Sequence, residues 1–137
     1  MRIAVLGAGS WGTSLAIVLS ENGHDVALWE FDAEHATAIA RKRENTKFLP
    51  GVTLPASIEV TNDLGGALRD ARMVVFVVPS HATRETARRA APFLPGGAFL
   101  VCATKGLEEG TLARMSEVLR DELRLEPGRI VSLVGPS

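Results

Sequence analysis

Short apolar runs alternate with amphipathic stretches along the whole chain. Ile3-Ala4-Val5-Leu6 is continuous, partly β-branched and halted by Gly7, which predicts a buried strand over 3–6. Over 10–22, Trp11, Leu15, Val18 and Leu19 recur at helical spacing and predict a helix with that apolar stripe. Asn22-Gly23 closes it, glycine supplying the left-handed residue that commonly ends a helix. A second strand is predicted over 26–29. Asp32 then caps a helix to about residue 43, its carboxylate accepting from the unpaired amides of the first turn.

Residues 44–57, with Pro50, Gly51 and Pro55, show no clear period. A loop that long is often a lid or another functional connection. Further on, the pattern predicts a strand over 58–61, then a short helix capped by Asp63 and running to 70. The strongest buried-strand signal lies over 73–78 and stops at Pro79. A helix from Ser80 to about 91, a strand over 99–103, a helix over 111–123 and a strand over 130–134 complete the series. No internal repeat and no low-complexity segment interrupts it.

Continuous apolar strands separated by helices imply strands buried on both faces. The expected fold class is therefore α/β, a doubly wound parallel sheet of the Rossmann type, with six strands in the order 3-2-1-4-5-6. Such sheets bind ligands at the C-terminal strand ends, beside the switch point between the first and fourth strands.

Length and composition narrow the class. The chain has 137 residues, 46% hydrophobic and 23% charged, ordinary for a globular chain of about one domain. Fifteen basic residues against 16 acidic give a net charge of -1, which argues against nucleic acid as the main partner. No apolar run is long enough to span a bilayer, and the N-terminus lacks a signal-peptide pattern. The single cysteine, Cys102, suits a reducing compartment and lies in an apolar run, as a small buried hydrophobe would. A cytoplasmic domain is the expectation.

The candidate chemistry sits at the predicted strand ends. Gly7-Ala8-Gly9-Ser10-Trp11-Gly12 matches G-x-G-x-x-G, directly after a strand and opening a helix, the context in which that string binds dinucleotides. Gly7 serves the tight turn, Gly9 the close approach of a pyrophosphate, and Gly12 the packing of helix on sheet. Glu30 ends the second strand, where an acidic residue accepts from the adenosine ribose hydroxyls. A carboxylate there repels a 2′-phosphate, and no arginine follows directly, so NAD is expected over NADP; Arg41 and Arg43 lie a helix away.

Val78-Pro79-Ser80-His81 ends the fourth strand and reads equally as punctuation or as a cofactor-facing turn, with Ser80 as the helix cap. Thr104-Lys105-Gly106 follows the fifth, where Lys105 is either a solvated lysine or a cation for an anionic substrate. Gly135-Pro136-Ser137 follows the sixth. His24, His35 and His81 show no metal-ligand spacing.

Together these strings resemble the N-terminal domain of bacterial NAD(P)-dependent glycerol-3-phosphate dehydrogenase. The matching segments are Gly7 to Thr13, Phe48-Leu49-Pro50-Gly51, Val78 to His81, Thr104-Lys105-Gly106 and Gly135-Pro136-Ser137, in the family's order. The resemblance implies reversible hydride transfer between a nicotinamide cofactor and glycerol 3-phosphate, giving dihydroxyacetone phosphate, in a pathway supplying phospholipid synthesis. It implies cofactor contacts at Ser10 and Trp11, cofactor and substrate contacts at Lys105, and substrate contacts at Gly135 and Ser137. Adding the glycines, Glu30, Phe31 and Pro79 completes the expected cofactor set. The Glu30-Phe31 pair departs from the small-then-basic pair of many members that accept NADP.

The family's proton-transfer lysine belongs to a C-terminal helical domain, so residues 1–137 are expected to bind dinucleotide without turnover. Two alternatives stay open: a nucleotide-sensing regulatory domain, and the cofactor domain of a sugar-acid or keto-acid dehydrogenase. Homo-oligomerisation is left open as well.

Overall fold

The structure, a computed structural model, describes residues 1–126 and 128–133. The chain runs β1 (Arg2–Leu6), α1 (Ser10–Glu21), β2 (Asp25–Trp29), α2 (Ala33–Lys42), β3 (Glu44–Asn45), β4 (Leu49–Thr53), β5 (Glu59–Thr61) and α3 (Leu64–Leu68). It continues with β6 (Met73–Phe76), α4 (Thr83–Ala90), β7 (Phe99–Cys102), α5 (Met115–Leu123) and β8 (Ile130–Ser132). Six strands form one sheet, β5-β2-β1-β6-β7-β8, and every pairing in it is parallel. Taken alone, those six strands run 3-2-1-4-5-6. The numbering differs because β3 and β4, an antiparallel hairpin, occupy the stretch without clear period.

Parallel strands leave both sheet faces to be covered, and two apolar clusters do so. Ala4, Leu6, Trp29, Val74, Phe76 and Leu100 face α3, α4 and α5, meeting Leu68, Ala87 and Leu119. Ile3, Val5, Val26, Leu28 and Val75 face the other way, against Ala16 of α1 and Ile39 of α2. Each fully buried large side chain stabilises the fold by roughly 1.5–3 kcal/mol. That second cover stops short of the β7–β8 side, where Phe99, Val131 and Leu133 stay exposed.

Several sequence expectations are corrected here. Trp11 and Val18 are 48% and 53% exposed, so they do not form the inner stripe of α1. Its buried side is Gly12, Thr13 and Ala16, small residues that let the helix lie close to β1. The fourth strand ends at Phe76. Ser80 caps nothing: Ser80–Ala82 is a single 3-10 turn without a side-chain cap bond, and α4 follows it. The last helix starts at Met115, because Leu112 at φ 60° turns the chain before it. Asp32 caps α2 as expected, its Oδ1 accepting from the amides of Glu34 at 3.0 Å and His35 at 3.3 Å. Val134, the end of the expected sixth strand, lies outside the described residues.

Candidate functional site

The turn from β1 into α1 needs glycine twice for steric reasons. Gly7 has φ 119°, a left-handed conformation, and a Cβ there would stand 2.8 Å from the Val77 carbonyl group. A Cβ on Gly12 would fall on the Gly7 carbonyl oxygen. Gly9 is different, since nothing lies within 4 Å of where its Cβ would be. Space is therefore open in front of Gly9, where a ligand would approach. The first-turn amides of any α-helix lack intrahelical acceptors; here Gly9 offers no side-chain cap, and no acidic residue sits in the first turn. The positive end of α1 thus faces open space with free donors, which fits a diphosphate.

Glu30 reaches back to this turn. Its Oε1 accepts from the Ala8 amide at 3.3 Å and its Oε2 from the Asp32 amide at 3.1 Å. The carboxylate is only half-buried, which leaves lone pairs for a diol. Phe31, next in the chain, is 67% exposed. Asn62 fixes this strand end, its Nδ2 donating to the carbonyls of Glu30 at 2.9 Å and Phe31 at 2.8 Å.

Across the switch point between β1 and β6, a cleft of about 510 Å³ is lined by Trp11, Val77, Val78, Pro79, Ser80, Ala103, Thr104 and Lys105. Trp11, Pro79, Ser80 and Lys105 are exposed there. The Thr104 hydroxyl donates to the Val78 carbonyl at 2.7 Å, tying the two turns together. Gly106, at φ 106°, then carries the chain past Ser80. No acidic side chain among the described residues pairs with the Lys105 ammonium.

Glu108 stands three residues on, but Arg84 of α4 holds it with two bonds, Nε at 2.6 Å and Nη2 at 2.9 Å. Those bonds, with one from the Thr111 hydroxyl, lower the Glu108 carboxyl from 4.5 to about 2. Arg84 also reaches Asp121 at 2.9 Å and Glu122 at 2.6 Å, and its own pKa is raised by the three carboxylates.

The cleft thus brings Trp11, Pro79 and Lys105 together, with the glycine turn and Glu30 on one side of it. Gly7, Gly9, Ser10, Gly12, Glu30 and Phe31 lie outside its lining, and Gly135 and Ser137 lie outside the described residues. Cys102 is buried, and burial pushes its thiol pKa up, so a thiolate nucleophile is disfavoured. Among the described residues, His81 is exposed and no three His, Cys, Asp or Glu side chains gather as metal ligands. Asn45, Asn62 and the Arg84–Glu108 pair escaped the sequence reading. Only a buried position or a partner distant in sequence distinguishes them.

A parallel doubly wound sheet with a glycine turn at its switch point and a carboxylate ending the second strand defines a dinucleotide-binding domain of the dehydrogenase type. Residues 2–137 match the family model of the NAD-dependent glycerol-3-phosphate dehydrogenase N-terminus, and the chain belongs to that family. It is 50% identical over 138 residues to glycerol-3-phosphate dehydrogenase [NAD(P)+] of Chlorobium luteolum, covering 100% of this chain and 41% of that protein. The enzyme of the same name from Pelotomaculum thermopropionicum is 53% identical over 137 residues, with 99% and 39% covered. The chain spans about two-fifths of the length of these relatives. Among solved structures, glycerol-3-phosphate dehydrogenase from Coxiella burnetii superposes with a TM-score of 0.85 at 35% identity, covering 90% of this chain and 38% of that one.

Proposed function

We propose that this chain is the cofactor-binding part of an NAD(P)-dependent glycerol-3-phosphate dehydrogenase, with NAD preferred. The whole enzyme would move a hydride reversibly between the cofactor and C2 of sn-glycerol 3-phosphate, giving dihydroxyacetone phosphate. The observation that carries this reading is a cleft at the C-terminal strand ends that joins Trp11, in the first turn of α1, to Lys105. Membership of the family supports it.

In this reading the amides of Ser10, Trp11 and Gly12 hold the diphosphate, and the open face of Gly9 lets it come close. Glu30 accepts from the adenosine ribose hydroxyls; a 2′-phosphate would meet its negative charge. Trp11 and Pro79 form apolar walls, and Phe31 lies beside the adenosine end. NAD supplies the hydride acceptor when bound. Lys105 places a fixed cation beside the substrate's phosphate or developing alkoxide charge, and Gly135 and Ser137 complete the substrate side. The proton is handled by a lysine of the family's C-terminal domain. The ligand is thus a small phosphorylated polyol or triose, not nucleic acid. No helix among the described residues is long and apolar enough to cross a membrane, and a cytoplasmic role in supplying glycerol 3-phosphate for phospholipid synthesis follows from this reading.

Titrating the 137-residue chain with NADH and NADPH, followed by Trp11 and Trp29 emission, tests the reading. NADH is expected to bind more tightly by roughly tenfold, as for one unfavourable charge contact, with the difference lost in Glu30→Ala. Equal affinities in the parent chain refute the cofactor preference. The same chain is expected to show no dihydroxyacetone-phosphate-dependent oxidation of NADH; substantial turnover would overturn the division of labour.

A further inference from the structure

We propose that Asn45 is a positioning residue for the dinucleotide: it locks the Ala8–Gly9 peptide so that the Gly9 amide faces the diphosphate. The proposal rests on the dinucleotide-binding reading above. Asn45 is fully buried, one of four buried polar residues among those described, and another of the four, Thr13, is its partner. Its Nδ2 donates to the Ala8 carbonyl at 2.8 Å and to the Thr13 hydroxyl at 2.9 Å. Its Oδ1 accepts from the Phe48 amide at 3.2 Å. Burying an amide is unfavourable unless it is hydrogen-bonded, and here both N–H donors and the oxygen have partners. Only the Phe48 bond stays within the hairpin; both donor bonds leave it for the glycine turn and α1.

The bond to the Ala8 carbonyl lands on the one peptide the turn leaves otherwise unfixed, and the bond to Thr13 anchors the amide that makes it. The Ala8 amide is held by Glu30, and the Gly9 carbonyl accepts from the Thr13 amide at 3.0 Å. Between them, the Ala8–Gly9 peptide borders a glycine, whose permissive backbone makes rotation of that plane easy. In a trans peptide the C=O and N–H point in opposite directions. With its carbonyl drawn to Asn45, the plane turns the Gly9 N–H the other way. No group among the described residues accepts from that N–H. The β3–β4 hairpin thereby pre-orients a donor before ligand arrives, which strengthens binding by lowering the ordering cost.

Asn45→Leu keeps the side-chain volume and removes both donors. The test compares NADH affinity, melting temperature and the Gly9 amide resonance of a ¹⁵N-glycine-labelled chain. Leu119→Ala, in the core on the opposite sheet face, serves as a matched destabilised control. The expected result is roughly tenfold weaker NADH binding in Asn45→Leu, the scale of one lost charge-assisted hydrogen bond. Its unliganded Gly9 resonance should be displaced, while Leu119→Ala melts earlier with affinity and resonance unchanged. If Asn45→Leu does not fold, Thr13→Val, which loses one of the two acceptors, should weaken binding roughly threefold and shift Gly9 in the same direction. An unmoved Gly9 resonance, or a loss of affinity matched by Leu119→Ala, overturns the positioning role. Failure of the parent chain to bind NADH overturns the cofactor reading and this proposal with it.

Discussion

The two walls of the cleft are held in place by different physics. On one side the glycine turn is fixed chiefly by steric contact and by buried neutral bonds, a Gly7 carbonyl beneath Gly12 and Asn45 between Ala8 and Thr13, with a single bond from the Ala8 amide to the Glu30 carboxylate. On the other, the turn after β7 has one neutral tie, the Thr104 hydroxyl on the Val78 carbonyl, and beyond it is fixed by charge. Arg84 gathers Glu108, Asp121 and Glu122 within 2.9 Å, with the Arg84 and Glu108 side chains 25% and 19% exposed. Buried neutral bonds are insensitive to salt and pH, whereas a partly exposed ion cluster responds to both. The contrast has a chemical purpose for Lys105. Glu108 is the nearest carboxylate in sequence, and its capture by Arg84 leaves the lysine cation unneutralised beside the cleft.

The sharpest way to break the comparison is on the steric side. Gly12→Ala forces either α1 or the Gly7 carbonyl to move, and should lower stability by about 2–3 kcal/mol and weaken NADH binding more than roughly 100-fold. Thermal melts and cofactor titration check both; a native affinity in Gly12→Ala would show that the turn tolerates what its packing forbids. A smaller effect is expected on the ionic side. Arg84→Met frees Glu108 to approach Lys105, lowering the melting temperature by only a few degrees. It should also weaken anion capture at the Lys105 side, read as competition by inorganic phosphate. Loss of stability as large as in Gly12→Ala would erase the distinction between the walls.

The smallest effect is a pH dependence. The folded Glu108 pKa of about 2 lies below its ordinary 4.5, so its contribution is fully present above 4.5 and fades as pH falls towards 2. Melting temperatures between those values should fall less steeply in Glu108→Gln than in the parent. Parallel curves would show that Glu108 carries none of the acid sensitivity.

How much was legible in the sequence differs between the same two walls. The glycine turn was readable because its demands are local: strand, glycines and helix follow within a few residues. The six-strand order was readable because continuous apolar runs leave few arrangements. The inner side of α1 was not, because periodicity locates an apolar stripe but not the close contact that Gly12, Thr13 and Ala16 make with β1. Asn45 was illegible for another reason. A lone asparagine in a polar stretch reads as a turn residue, and only the β3–β4 hairpin folding onto the glycine turn buries it. Glu108 was hidden because its main partner, Arg84, lies 24 residues away on α4, brought to it only by the completed fold. Leu112 gave no sign of its left-handed backbone, so the last helix was expected four residues early.

The position of β1 also sets a schedule. It precedes the other five strands of its sheet in the chain, yet it lies in the interior, with Ile3 paired on one flank with Val26 and on the other with Met73. Its second flank stays bare until β6, which starts at Met73, has been made, and such distant pairing is slow to form. The Val77 backbone that crowds Gly7 arrives in the same late stretch. The segment bearing the glycine turn therefore waits for its final surroundings until Val77, far along the chain from Gly7, has been made.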